Sequence, residues 1–335
     1  MVKSELDAIP PLLEKFRQSV LAAAFRGDLT ADWRRQNPDV EPASVLLDRI
    51  RAERRQRWED AELAKMRAKG KEPKDDKWKE KYAVPEPLKN SSLPALPNGW
   101  HWAAAEELCS ELITAGNTPK AGSMKSSSGE IPFIKVYNLT FDGTLDFSVN
   151  PTFIDSATHT QMMRSQLKPG DVLMNIVGPP LGKISIVPDD YPAWNMNQAI
   201  VRFRTCDGFL NRFLCFSLMT QFVERWIFTN SAATAGQFNI RTSSCRRIPV
   251  PVPPVEEQKV IVNKIDLAFE RARAVSRTFD SAQDQLSTLS QSILAKAFRG
   301  ELVPQDPNDE PASVLLERIR AERAASPPSK KRKPK

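Results

Sequence analysis

The 335-residue chain carries 48 Lys and Arg against 41 Asp and Glu, a net charge of +7, with 41% hydrophobic and 27% charged residues. These are globular values for two or three structural units, and they exclude a fibrous or wholly disordered chain. No apolar run approaches the ~18 residues that span a bilayer, and the start MVKSELDAIPPLL lacks a basic-then-apolar signal pattern, so no membrane partner and a cytoplasmic location are expected.

Residues 1–54 open with an apolar stripe, Ile9, Leu13, Phe16 and Val20, at helical spacing. Pro10 and Pro11 suit the first turn of that helix, and Gly27 sits where a C-terminal cap belongs. A short charged helix is expected at 43–54, opened by Glu-Pro-Ala-Ser. Residues 55–95 form a connector, part-helical to about 69 and loop-like after Pro73. The stretch 51–81 holds twelve Lys and Arg against eight Asp and Glu.

A compact mixed domain is expected over 96–255, beginning near LPNGW. Strand-like pieces are 131–139, 171–177, 182–187 and 198–205, with GPPLG (178–182) as a tight turn between two of them. Phe209, Phe213, Phe216, Met219, Val223 and Ile227 mark one amphipathic helix. IPVPVPP (248–254) closes the domain, because prolines at that density continue neither a helix nor a central strand. The domain is nearly neutral, with thirteen Lys and Arg against twelve Asp and Glu.

Residues 256–302 carry the clearest pattern. Ile261, Ile265, Ala268, Ala272, Val275, Phe279, Ala282, Leu286, Leu289 and Ile293 alternate at spacings of four and three. A 3.5-residue repeat keeps one face toward a partner helix, so a coiled coil is predicted over 258–299. At ~1.5 Å per residue it would run about 63 Å. The bland alternative is a long helix lying on its own domain. Residues 303–335 add a second short charged helix and a basic tail, KKRKPK, which reads as a solvated end before it reads as a nuclear signal.

Two blocks recur. QSVLAAAFRGDL (18–29) returns as QSILAKAFRGEL (291–302) with nine of twelve positions identical. EPASVLLDRIRAER (41–54) returns as EPASVLLERIRAER (310–323) with thirteen of fourteen identical. The offsets are 273 and 269, so the later copy lacks four residues between its blocks. Stacked repeats recur at short fixed periods; these copies instead frame something different.

Motifs for catalysis are missing. There is no Walker A loop, GxGxxG or HExxH. NIVGPP (175–180) resembles the Asn-Pro-Pro-aromatic motif of amino-group DNA methyltransferases only faintly, with an insertion and no aromatic, and is read as a hairpin turn. Cys109, Cys206, Cys215 and Cys245 form no CxxC pair, and His101 and His159 lie 58 positions apart, so no metal site is expected.

LPNGWHWAAAEEL, IPFIKVYNL, LKPGDVLMNIVGPPLGKISIVP, NQAI, AGQFNIRTSSCRRIPVPVPPVEEQKVIVNKID and QSILAKAFRGEL follow one another in order. Together they resemble the DNA specificity (S) subunits of type I restriction–modification systems. The resemblance implies an α+β fold: one globular mixed α/β target-recognition domain plus a long coiled-coil helix and flanking helical conserved segments. S subunits of this family usually carry two recognition domains. This chain resembles the C-terminal half of one, whether a natural half-length subunit, a truncated product or a cut fragment.

The resemblance further implies a non-catalytic subunit that reads half of a bipartite target, or both halves as a homodimer. Implied partners are double-stranded DNA, methyltransferase (M) subunits and restriction (R) subunits. No cofactor is expected on this chain; S-adenosylmethionine would sit on M, and ATP with Mg on R. The alternative is a scaffold or decoy that occupies M subunits without productive readout, which the neutral domain charge keeps open.

Bases are read by Asn, Gln, Arg and Lys, and phosphates are held by Lys and Arg. On that ground the DNA-binding candidates are Asn117, Lys120, Lys135, Asn138, Asn175, Lys183, Asn195, Asn197, Gln198, Gln237, Asn239 and Arg241. Asn138, Asn195 and Asn239 equally suit turn-shaping, and Lys135 a solvated strand face. The subunit-interface candidates are Ile261, Ile265, Val275, Phe279, Leu286, Leu289 and Ile293.

Overall fold

The computed structural model describes residues 6–88, 93–120, 122–125, 129–178, 180–230, 232–234, 237–304, 306 and 308–325, with backbone alone at 232–234 and 237–238. The chain divides into two compact units between Ala274 and Val275.

The first unit begins with α1 (Ile9–Phe25), which has prolines in its first turn, and Gly27 follows it at φ 81°. That left-handed conformation is the one a helix stop wants from glycine. A short α2 (Ala31–Gln36) leads to α3 (Ala43–Ala68). α3 extends well past the short helix expected at 43–54. Its first half buries Leu46, Leu47 and Ile50, while its second half is charged. The connector then folds back: Trp78 stacks on Trp58, and Tyr82 tilts against it.

The mixed domain follows with β1 (His101–Ala104), β2 (Thr114–Ala115), β3 (Ile131–Ile134), β4 (Phe153–Ile154), α4 (Ser156–Gln161), β5 (Gln166–Leu167), β6 (Val172–Asn175), β7 (Val177–Gly178), β8 (Ile184–Ile186), β9 (Trp194–Met196) and β10 (Ile200–Phe203). α5 (Asn211–Leu218), α6 (Gln221–Thr229), β11 (Ala232–Thr234), β12 (Gln237–Asn239), α7 (Thr242–Arg246) and β13 (Pro249–Val252) complete it. Strand orders are β2-β10-β6-β8, β4-β3-β9-β5 and β11-β12-β7, with β1 paired to β13 alone. The pairing is antiparallel except for β3 with β9.

Two sequence expectations change here. The single amphipathic helix over 209–227 is two helices, because Thr220 caps α6 by accepting from the Val223 N–H. The proline-rich stretch is a strand: Pro249 and Pro251 oppose Ala104 and Trp102 in a two-stranded pair, where edge positions tolerate a missing N–H.

α8 (Val255–Phe298) runs 44 residues. In the first unit it packs antiparallel to α1. Thr30 reaches Glu257, Lys264 Nζ donates to the Leu29 carbonyl at 2.6 Å, and the Arg17 guanidinium lies over the Phe269 ring. Ile261, Ile265 and Phe269 enter the same core as Leu21, Leu46, Phe213 and Val250. The second unit holds the rest of α8 and α9 (Ala312–Ala325). Among the described residues no helix is long and apolar enough to cross a membrane.

Candidate nucleic-acid interface

Four loops converge at one end of the β2-β10-β6-β8 sheet. Gly116 donates its N–H to the Ile200 carbonyl at 3.0 Å, bringing the segment after β2 against the turn between β9 and β10. A Cβ at Gly116 would stand 2.3 Å from the Asn197 carbonyl oxygen, so only glycine permits this approach. Ile176 donates to Ala199 O at 2.8 Å, and Ile240 donates to Ile176 O at 2.9 Å. These backbone bonds tie 116–120, 176–178, 197–199 and 239–241 together.

The candidate residues divide sharply. Asn117, Lys120, Gln198 and Arg241 are exposed, and Asn197 and Asn239 are half-buried. Thr118 Oγ1 donates to Gln198 Oε1, which orients that amide across two loops. Asn197 Oδ1 accepts the Ala199 N–H at 3.2 Å, which shapes that turn. The side chain of Gln237 lies outside the described residues.

Asn138, Asn175 and Asn195 are buried, and their amides are spent inside the fold. Asn175 Oδ1 accepts the Lys183 N–H at 2.9 Å, and its Nδ2 donates to the Pro180 carbonyl at 2.8 Å, so one amide bridges Pro180 and Lys183. Asn138 accepts the Lys135 N–H and donates to the Asp146 and Val149 carbonyls. Asn195 bonds His159 Nδ1 and its own neighbour's N–H. Their assignment as DNA contacts is corrected to loop-shaping in this conformation, because a buried amide already bonded inside the fold is not presented to a base.

Lys135 and Lys183 lie on a neighbouring edge, each over an exposed aromatic ring. Lys135 Nζ is 5.9 Å from the Tyr137 ring centre and Lys183 Nζ is 5.8 Å from that of Phe141. Tyr137, Phe141 and Thr118 were not singled out by sequence reasoning. The basic–aromatic interleaving of KVYNLTF (135–141) was the available signal for the first two. Arg164 was missed as well; its Nε donates to Ala115 O at 3.1 Å and braces β2.

A charged cluster stiffens β10 behind this face. Arg204 grips Asp171 through Nε and Nη2, each at 2.7 Å, and Arg202 and Arg204 both reach Glu111 at 2.6 Å. Burial alone would raise the Glu111 carboxyl, but the two guanidiniums outweigh it and hold it below the usual range. Both arginines are therefore committed inside the fold.

The interface candidates on α8 also divide. Ile261 and Ile265 are fully buried in the domain's own core, so the bland alternative governs this end of the helix, and they are unavailable to a partner. Phe279 is buried as well, whereas Val275, Leu286, Leu289 and Ile293 are exposed. Among the described residues no group of three or more His, Cys, Asp or Glu is placed to hold a metal.

The type I restriction modification DNA specificity domain matches residues 97–271, half of the chain, and takes in every loop of the face just described. The chain belongs to that family. It is similar to the type I restriction enzyme EcoBI specificity subunit of Escherichia coli, 29% identical over 333 residues, covering 97% of this chain and 59% of the relative. The EcoDI specificity subunit of Escherichia coli is 27% identical over 353 residues, covering 97% and 63%. This chain therefore spans about three fifths of the length of these relatives. A solved chain described as "Structural basis underlying complex assembly and conformational transition of the type I R-M system" matches at a TM-score of 0.50 and 24% identity, over 77% of this chain and 57% of its own. That likeness bears on the fold alone.

Proposed function

We propose that this chain is a non-catalytic DNA-specificity subunit of a type I restriction–modification complex, with residues 96–255 as its target-recognition domain. It reads one half of a bipartite duplex target. M subunits supply methyl transfer from S-adenosylmethionine, and R subunits supply cleavage with ATP and Mg. The observation that carries this reading is the convergence of the 116–120, 176–178, 197–199 and 239–241 loops, all inside the family-matched region. Asn117, Gln198, Asn239 and Arg241 offer base-reading chemistry there, and Lys120, Lys135 and Lys183 offer phosphate contacts.

The exposed half of the α8 seam, Val275, Leu286, Leu289 and Ile293, is the surface for assembly. Two copies joined along it would present identical recognition domains about a two-fold axis, and the target would be an interrupted palindrome.

The test is a gel-shift titration of the full chain with a purified M subunit on mixed duplex DNA. Sequence-selective retardation that needs both proteins is expected. Binding to M with no DNA selectivity would identify a decoy instead.

A further inference from the structure

The two repeat copies have nearly the same sequence and opposite fates. In the first, Leu46, Leu47 and Ile50 are 1–2% exposed against the recognition domain. Their counterparts Leu315, Leu316 and Ile319 are 49%, 51% and 36% exposed. The basic residues that make the first copy's ionic contacts also recur in the second. Arg51 binds Glu107 at 2.9 Å and Arg54 donates to the Glu106 carbonyl at 2.8 Å, and the second copy offers Arg320 and Arg323 at the same places.

One contact has no duplicate. Glu257, at the start of α8, is fully buried and accepts from Thr30 Oγ1 at 2.6 Å, from Arg34 Nη1, and from the Trp100 indole N–H at 2.8 Å. Arg34 also donates to the Gly27 carbonyl and lies over the Trp100 ring. In the second copy Val303 stands where Thr30 stands, and Arg34 falls in the stretch that was lost. The whole segment VPQDPND (303–309) contains no hydroxyl and no basic residue, and it adds Asp306 and Asp309.

We propose that Glu257 is a pairing-selectivity residue. It admits the 18–54 copy to this recognition domain and rejects the 291–323 copy. The second copy is thereby reserved for another domain of the same fold whose long helix carries a neutral or apolar residue at the place of Glu257. Docked here, the second copy would leave a buried carboxylate with Trp100 as its one donor and set the Val303 side chain against it, an uncompensated charge in a dry site. Against an apolar residue the same Val303 fits, and the leucines and arginines that the copies share do the rest. This stands on the fold and the repeat, independent of which residues read DNA.

The test uses the full chain and hydrogen exchange followed by mass spectrometry, which distinguishes 43–54 from 312–323 because Asp48 is replaced by Glu317. T30V/R34A should accelerate exchange in 43–54 roughly a hundredfold, the scale of breaking a buried ion pair. Adding E257Q to that pair should restore protection to within about tenfold, since the buried charge is gone and the Trp100 indole N–H keeps an acceptor. A photo-crosslinking benzoylphenylalanine at Val314 should attach to residues 97–271 of a second, mass-tagged copy in the E257L chain and not in the wild type. Unchanged exchange in T30V/R34A overturns the proposal. So does Val314 cross-linking to wild-type domains as readily as to E257L. If E257L alone fails to fold, the triple variant decides, and its failure to regain protection would also count against Glu257 as the discriminator.

Discussion

Thr118 Oγ1 donates to Gln198 Oε1 across 80 positions of sequence, joining the loop after β2 to the turn between β9 and β10. Asn175, in β6, bridges Pro180 and Lys183 with its amide. One amide is exposed; the other is buried.

These two positions should separate function from stability. Asn175→Ala leaves the Lys183 N–H and the Pro180 carbonyl without their partner, and should lower unfolding free energy by about 1–3 kcal/mol in a urea melt. Gln198→Ala should leave the melt within about 0.5 kcal/mol of wild type and alter base preference. Equal melts for the two variants would refute the division.

The two ends of α8 should respond differently to substitution. Ile261→Ala opens a cavity in the domain core and should cost about 2–5 kcal/mol. Leu286 is exposed, so Leu286→Asp should leave the domain melt unchanged and abolish self-association or M binding in sedimentation runs. Unaltered sedimentation of Leu286→Asp, with and without M, would remove this seam from the assembly.

That contrast shows what the sequence could tell. The heptad spacing announced a long helix with one apolar face. It could not say that Ile261 and Ile265 meet the chain's own Leu21 and Val250 while Leu289 and Ile293 stay bare, because the spacing is the same for either partner. Gly27 was legible as a helix stop, since helix ends favour a left-handed residue. Strands of two residues such as β2, β5 and β7 carry no periodicity to read. Pro249 and Pro251 concealed a strand because proline ordinarily argues against one. For the candidate site, residue type alone proposed Asn138, Asn175 and Asn195. Asparagine closes turns with the same amide that reads adenine, and only burial tells the two uses apart.

Lys183 tests the electrostatic part of the face. Its ammonium lies over Phe141 and near the Val136 carbonyl. If it holds a phosphate, Lys183→Ala weakens all duplex sequences alike and lowers the slope of log K against log salt by roughly 0.9 per contact. A change confined to one base position, at constant slope, would instead make it a base reader.

The four cysteines should be silent. Burial pushes the Cys206, Cys215 and Cys245 thiols up to about 12, and Cys109 higher still. Each is therefore protonated and enclosed at pH 8, and a thiol whose thiolate is suppressed does not attack disulfide reagents. The native chain should release no thionitrobenzoate from Ellman's reagent at pH 8, and the chain in guanidinium should release four equivalents. Rapid reaction of a native thiol would contradict the packing around it.

The most direct measurement is the methylated motif in cells that carry this chain with an M subunit. Methylome sequencing should find a bipartite motif that appears only with the chain present. Gln198→Ala or Arg241→Ala, at the converging loops, should relax or change base preference within the half-site that this domain reads. A modified motif that is independent of the chain, or one that survives loss of both side chains unchanged, would contradict the assignment of these loops as the reading face.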